Sequence, residues 1–438
     1  MPALKKVLVI GGGFTGLTAA YRLGREGRFS VTLLERSGNL GGLAAGFPLL
    51  GTSIEKTYHH LFLTDKAILD LVEELGLRDK LIWCDSSMGI YRGGRIYPFS
   101  SPLDLLRFKP CGFPSRVRFG LVALYLKHKK DWRSFAGQSA CQWMAKACGR
   151  DAMEAVWLPL LKGKFDRYHD SISMAWLWAR IHIRSNSRPP GGGKEKLGYF
   201  RGGFNVVTRA LENELRKYGV AVRTGVAVEK FSAEGRAAVV NGQVEPFDFC
   251  IFTGPSPAFA ELLPAGGAFD NYSRQLRSIE YLGAVCLVFE STQNLGDVYW
   301  LNVNEPGAPF LAFINHTRLT GTAAYQNRFV YYIGAYTVAD SSLFALSDDA
   351  LTKLWWDYLK RIFPSFDAGL VGERHIFRFK AAQHIVDTGY QDKIPAYCSP
   401  LPGVFLANFS QIFPEDRGTN FAVREGNKIA AMVCDAAK

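Results

Sequence analysis

The stretch Lys6-Val-Leu-Val-Ile10-Gly11-Gly-Gly13-Phe-Thr-Gly16 decides the fold. Its first five residues form an apolar β-type run, and Leu17–Leu23 beyond the glycines reads as a helix. Gly11, Gly13 and Gly16 therefore fill a G-x-G-x-x-G pattern between a strand and a helix. The first glycine permits a tight turn, the second lets backbone approach a pyrophosphate, and the third lets the helix pack close to the strand. The pyrophosphate then rests on the helix N-terminus, where unpartnered N–H groups and the helix dipole favour an anion. A second strand, Ser30–Leu34, ends at Glu35. That acid stands 22 residues after Gly13, the spacing at which a carboxylate holds a ribose 2′-hydroxyl. A carboxylate there disfavours a 2′-phosphate, although the adjacent Arg36 pulls the other way. These elements predict an α/β, Rossmann-like dinucleotide-binding domain.

The residues after Glu35 separate one dinucleotide from another. A nicotinamide domain would proceed to a further β-α unit, but here the chain continues Arg36-Ser-Gly-Asn-Leu-Gly41-Gly42-Leu43. A glycine pair six residues past the acid resembles the second glycine motif of the FAD-dependent amine oxidase / protoporphyrinogen oxidase superfamily. The resemblance returns at Gly198-Tyr-Phe-Arg-Gly202-Gly203-Phe, ahead of a helix with Val206, Val207, Ala210, Leu211 and Leu215 and a stop at Gly219. The strand Val220–Arg223 and the segment Val226-Ala-Val228 come next. It returns a third time at the strand Gly403–Asn408 and at Asp416-Arg-Gly418-Thr-Asn420-Phe-Ala-Val, which opens a final helix to about Ala437.

The resemblance implies a non-covalently held FAD. Its site would comprise Gly11, Gly13, Phe14, Thr15 and Gly16 at the first loop, with Glu35 and Arg36 at the end of the second strand. Gly41, Gly42 and Leu43 would run along the pyrophosphate and ribityl chain, and the Val228 backbone would meet the adenine. Asp416, Thr419, Asn420 and Phe421 would close the site at the flavin. One departure stands out. Where the superfamily ends a strand in glycine and an acid, this chain has Ala407-Asn408; either Asp416 replaces the charge or the ribityl contact is lost.

The FAD segments are thus discontinuous, about 1–60, 196–270 and 370–438, leaving 61–195 and 271–369 for an α+β substrate domain. Just before a helix opening at Leu63-Thr-Asp65 lies Tyr58-His59-His60. In related flavoenzymes this segment passes near the isoalloxazine ring, so His59 and His60 are the candidate catalytic residues, as acid, base or anion anchor. No His-Glu-x-x-His or similar spacing occurs, so no metal is expected. Residues 107–133 hold eight Lys/Arg against one Asp, interleaved with apolar residues. We read this as a substrate-domain helix with a solvated basic face, the alternative being an amphipathic helix on an anionic membrane. A second basic stretch runs from Arg180 to Arg201 around Pro189-Pro-Gly-Gly-Gly-Lys194 and reads as a solvated loop or a cationic lid.

Composition frames these motifs. The 438 residues are 48% hydrophobic and 21% charged, which suits globular domains and excludes disordered, collagen-like and coiled-coil chains. No apolar run approaches the ~20 residues a membrane-spanning helix needs. The eight scattered cysteines include no Cys-x-x-Cys, which suits a reducing cytoplasm and argues against a disulfide framework. The net charge of +12 fits an anionic substrate or a membrane surface, and no nucleic-acid reading module is present. The expected function is an FAD-dependent oxidoreductase accepting a hydride from an amine, a porphyrinogen or a polyene precursor. Two alternatives share the fold: a sugar-nucleotide mutase of the UDP-galactopyranose mutase type, and a non-enzymatic protein like the Rab GDP-dissociation inhibitors. The partner is a small molecule, anionic or lipophilic, and the oligomeric state is left open.

Overall fold

A computed structural model of the chain describes residues 4–189 and 193–438. The opening motif forms β1 (Lys5–Ile10), α1 (Phe14–Arg25) and β2 (Phe29–Glu35). β1 is apolar at consecutive positions because both of its faces are covered: Val7 and Val9 join one buried cluster, Leu8 and Ile10 another. Further along lie α2 (Asn205–Lys217), β3 (Ala221–Thr224), β4 (Phe249–Phe252), β5 (Val404–Leu406) and α3 (Thr419–Ala436). The five strands make one parallel sheet in the order β3-β2-β1-β4-β5. α1, α2 and α3 cover one face of it. An antiparallel layer of Val228–Phe231, Ala237–Val240 and Gln243–Pro246, with the helices Ser256–Leu262 and Ala268–Arg277, covers the other. α3 lies close on α1 because Gly426 has no side chain; a Cβ there would come within 2.6 Å of the Thr15 carbonyl oxygen. That approach carries the N-terminus of α3 to the glycine loop.

The rest of the chain builds around a seven-stranded sheet. Its order is Val371–His384, Tyr281–Ser291, Phe329–Thr337, Ala312–Asn315, Trp300–Val303, Met88–Arg92 and Arg95–Pro98. A helical layer that includes Phe113–His128, Leu158–Phe165 and Met174–Asn186 packs through a core of Trp157, Phe165 and Trp176. The domain division read from the sequence meets this topology unevenly. Val371–His384, assigned above to the FAD part, hydrogen-bonds along Tyr281–Ser291 in the seven-stranded sheet. Lys196–Phe200 pairs with Leu81–Asp85 and so ties the two parts together. Strand partners that are distant in sequence leave no local signature, so boundaries set by motif position miss them.

The basic helix also differs from its expected form. Phe113–His128 buries Phe119 and Leu126, but its outward face carries exposed Phe113, Val117, Leu121, Leu124 and Tyr125 rather than a solvated basic surface. In the second basic stretch, Arg184 pairs with Glu195 at 2.9 Å and Lys196 with Asp85, so these cations are not lid groups. Pro190, Gly191 and Gly192 of the expected lid loop lie outside the described residues. All eight cysteines are free, and no described helix is long and apolar enough to cross a membrane.

Candidate active site

The three glycines of the first loop have different physical reasons. Gly11 has φ +110°, and a Cβ on it would lie 2.3 Å from the Thr253 hydroxyl. A Cβ on Gly16 would lie 1.9 Å from the Gly11 carbonyl oxygen. Both are therefore demanded by the protein's own packing. Gly13 is not: its φ is −74°, and a Cβ there would meet only the Gly42 Cα at 3.8 Å. The space beside Gly13 is a cradle that a side chain would fill, at the N-terminus of α1 where a pyrophosphate is best held. Gly41 and Gly42, with φ +106° and +59°, form the facing wall, tied to the loop by the Gly41 N–H donating to the Gly12 carbonyl at 2.8 Å. Glu35 accepts from the Gly12 and Ser37 N–H groups, each at 2.7 Å, which fixes its carboxylate at the edge of the same cradle. Phe14 and Thr15 are buried in the first turn of α1, Arg36 follows Glu35, and Leu43 leads on from the glycine pair. Val226 donates its N–H to the Glu35 carbonyl at 2.9 Å, while Val228 pairs with Val240 in the antiparallel layer beyond. These residues fit an FAD, and Gly13 and Gly42 would hold its pyrophosphate.

Past Leu43 the cradle opens into a cavity of about 180 Å³. One wall comes from the FAD segments, through Thr57, Tyr58 and the residues Asp416 to Phe421; Trp300 and Tyr336 line it from the other part. The cavity thus gathers His59, His60, Asp416, Thr419, Asn420 and Phe421 around one space. The Asn420 side chain accepts from the Ile68 N–H at 3.3 Å, which pins the start of α3. Gly418, the residue before α3, is extended at φ −175°, a conformation open to any residue.

His59 Nδ1 lies 2.8 Å from the Thr57 carbonyl, a pure acceptor, so Nδ1 carries the hydrogen and Nε2 is left as an acceptor. His60 Nδ1 bonds the Tyr299 hydroxyl at 3.0 Å. Burial pushes His59 down to about 4 and His60 down to about 3, so both rings are neutral near pH 7. A neutral imidazole keeps one N–H donor and one acceptor nitrogen and brings no charge of its own to an anion.

The charge comes from Arg180, at the start of the second basic stretch, from Arg417, beside Asp416, and from Lys164, which no motif singled out. Lys164, on the helix Leu158–Phe165, lies 3.0 Å from Asp416, and Arg180, on Met174–Asn186, lies 2.9 Å from the same carboxylate oxygen. Arg417 donates to the Tyr336 hydroxyl at 2.9 Å. Three cations therefore surround one carboxylate. Burial opposes the charge on Asp416, but Lys164, Arg180 and Arg417 outweigh it and hold the carboxyl well below its ordinary value. Burial likewise raises Tyr336, yet Arg417 and Lys164 win and hold the phenol below its ordinary value. Asp416 thus organises cations instead of standing free for a ribityl chain. Asn408 does not take that place: its amide donates to the Gly254 carbonyl at 2.7 Å and its oxygen accepts from the Ser410 N–H at 2.9 Å. Lys164 left one trace in the sequence: with Lys162 it is one of two charges in the run Leu158-Pro-Leu-Leu-Lys-Gly-Lys164-Phe.

The sheet, the glycine cradle and the adjoining cavity define a two-part protein of the dinucleotide-dependent class. The family described as flavin containing amine oxidoreductase matches residues 14–413, and the chain belongs to that family. Its cofactor is FAD. It is 22% identical over 306 residues to coproporphyrinogen III oxidase of Staphylococcus aureus, covering 61% of this chain and 64% of that one. It is 27% identical over 174 residues to mitochondrial protoporphyrinogen oxidase of Nicotiana tabacum, covering 39% of this chain and 34% of the relative. The matches thus span less than two thirds of these relatives' own lengths. Among solved structures, reduced UDP-galactopyranose mutase superposes with a TM-score of 0.76 at 15% identity, over 98% of this chain and 96% of that one. At that identity the likeness is one of fold.

Proposed function

We propose that this chain oxidises a carboxylate-bearing substrate of the porphyrinogen type. The observation that carries this reading is the buried Lys164 with the half-buried Arg180 and Arg417 around the carboxylate Asp416, in a cavity walled by Tyr58, Trp300 and Tyr336. The surplus positive charge repels a protonated amine, and a neutral polyene precursor would leave it uncompensated. Carboxylates on an aromatic macrocycle precursor answer both halves of the site: the cations bind the acids, and the aromatic wall packs on the ring. The names of the porphyrinogen oxidases among the relatives point the same way.

Bound FAD supplies the two-electron acceptor, taking a hydride from a substrate C–H bond. The chain's own residues do the rest. Arg417 and Lys164 orient the substrate through its acid groups. His59 presents Nε2 as an acceptor for the N–H proton that leaves with the hydride. The buried aromatic side chains exclude water from the reacting carbon. The first N–H groups of α3, which lack intrahelical partners, favour negative charge at the cavity.

A second reading has one observation in its favour. The same cations suit the diphosphate of a nucleotide sugar, and the mutase shares the fold. Anaerobic titration of the purified yellow protein separates the two. A carboxylated porphyrinogen should bleach the flavin absorbance and an aliphatic amine should not. Bleaching by amines alone, or turnover of a sugar nucleotide only by prereduced protein, contradicts the proposal.

A further inference from the structure

The face of Phe113–His128 turned away from the helical layer is apolar. Phe113, Val117, Leu121, Leu124 and Tyr125 are 60%, 41%, 63%, 53% and 51% exposed. Their spacing places them on one stripe of the helix, opposite the buried Phe119 and Leu126. Leu103 and Leu106, on the preceding short helix Pro102–Arg107, are exposed beside it in sequence. The remaining exposed large apolar side chains, Leu4, Ile96, Val244, Leu354 and Leu370, are dispersed along the chain. A gathered stripe of this kind is costly to leave in water and marks an interaction surface.

Charge identifies what the surface meets. Arg107, Lys109, Lys127 and Lys130 flank the stripe in sequence and have no carboxylate partner among the described residues. The nearest acids in sequence are already engaged: Asp104 accepts from the Ser100 and Ser101 N–H groups at 3.0 and 2.9 Å, Asp131 pairs with Arg133 at 3.1 Å, and Asp151 accepts from the Gly112 N–H at 2.7 Å. A second copy of the chain laid on this face would bring cations against cations. An anionic lipid surface complements them, and its acyl boundary accepts Leu121, Leu124 and Phe113.

We infer that the stripe Phe113–Tyr125 and its flanking cations form a docking surface for an anionic lipid bilayer, on which the protein lies without crossing it. The helix packs on Met174–Asn186, which carries Arg180 and Arg184 into the cavity, so docking sets the active site directly behind the lipid contact.

The test is co-sedimentation of the FAD-loaded full chain with vesicles of phosphatidylcholine alone, or of phosphatidylcholine mixed with phosphatidylglycerol, at low and physiological salt. The protein should sediment with the mixed vesicles, and less so as salt screens the charges. Lys127→Gln with Lys130→Gln should weaken binding about fivefold per cation at low salt. Leu121→Ser with Leu124→Ser should weaken it about tenfold at either salt. Both variants should retain wild-type flavin content, which shows that they are folded. Equal sedimentation with the two vesicle types, or unaltered binding of the leucine variant, overturns the inference. So does a dimer in light scattering that the leucine variant splits while vesicles capture nothing, because the stripe then belongs to a second copy.

Discussion

A buried ionisable group records its surroundings in its affinity for protons. Glu55 is 0% exposed, and burial pushes its carboxyl from 4.5 up to about 7, against the Tyr199 hydroxyl and Phe204 N–H that donate to it. A raised carboxyl stabilises the fold fully below its unfolded value and loses that contribution as pH climbs through the folded one. The group's share, about 3 kcal/mol, should therefore disappear between pH 4.5 and about 7. Glu55→Gln keeps an acceptor for Phe204 and removes the titration. Its thermal midpoint should fall less than the wild type's across that window, measured by circular dichroism. Identical slopes would show that Glu55 does not titrate there. At this scale the sequence is only partly readable. His59 and His60 announce themselves as neighbouring histidines ahead of a helix, but their neutrality comes from burial that no local pattern encodes. Lys164, Arg180 and Asp416 come together from three distant segments, so their association is a tertiary fact.

Elements reveal why a motif has its spacing. Gly16 is held by contact with Gly11 inside the strand–turn–helix unit, whereas Gly13 faces the gap toward Gly42. Two substitutions should therefore fail in different ways. Gly16→Ala forces a Cβ onto the Gly11 carbonyl and should cost on the order of 2–3 kcal/mol or more of fold stability. Gly13→Val should give a folded, colourless protein with the circular dichroism of the wild-type apoprotein. Flavin absorbance and thermal melts of the two variants check this, and a yellow Gly13→Val protein would dismiss the cradle. β1, α1 and β2 were legible because local pattern and tertiary role coincide in them. For Phe113–His128, apolar residues all around the helix concealed which face was buried, and only packing distinguishes Phe119 from Leu121.

At the scale of the molecule, two parts that interleave in sequence meet at one cavity. The FAD part contributes the cradle, Tyr58, Arg417 and the start of α3, and the other part contributes Lys164, Arg180, Trp300 and Tyr336. The strand Lys196–Phe200 pairs with Leu81–Asp85 and so joins them. On the proposed reading charge and shape select the substrate together, and neither the glycine motifs nor the net charge of +12 carries that information. The central claim is that Lys164, Arg180 and Arg417 grip substrate carboxylates beside the flavin. The most direct measurement is the anaerobic rate of flavin reduction by a carboxylated porphyrinogen and by its methyl ester, in wild-type protein and in Arg417→Met. In the wild type the free acid should react about 10- to 100-fold faster at low concentration, the worth of one charged hydrogen bond, and Arg417→Met should erase most of that advantage while keeping its FAD. Equal rates for acid and ester in the wild type, or an acid preference untouched in Arg417→Met, would contradict the account.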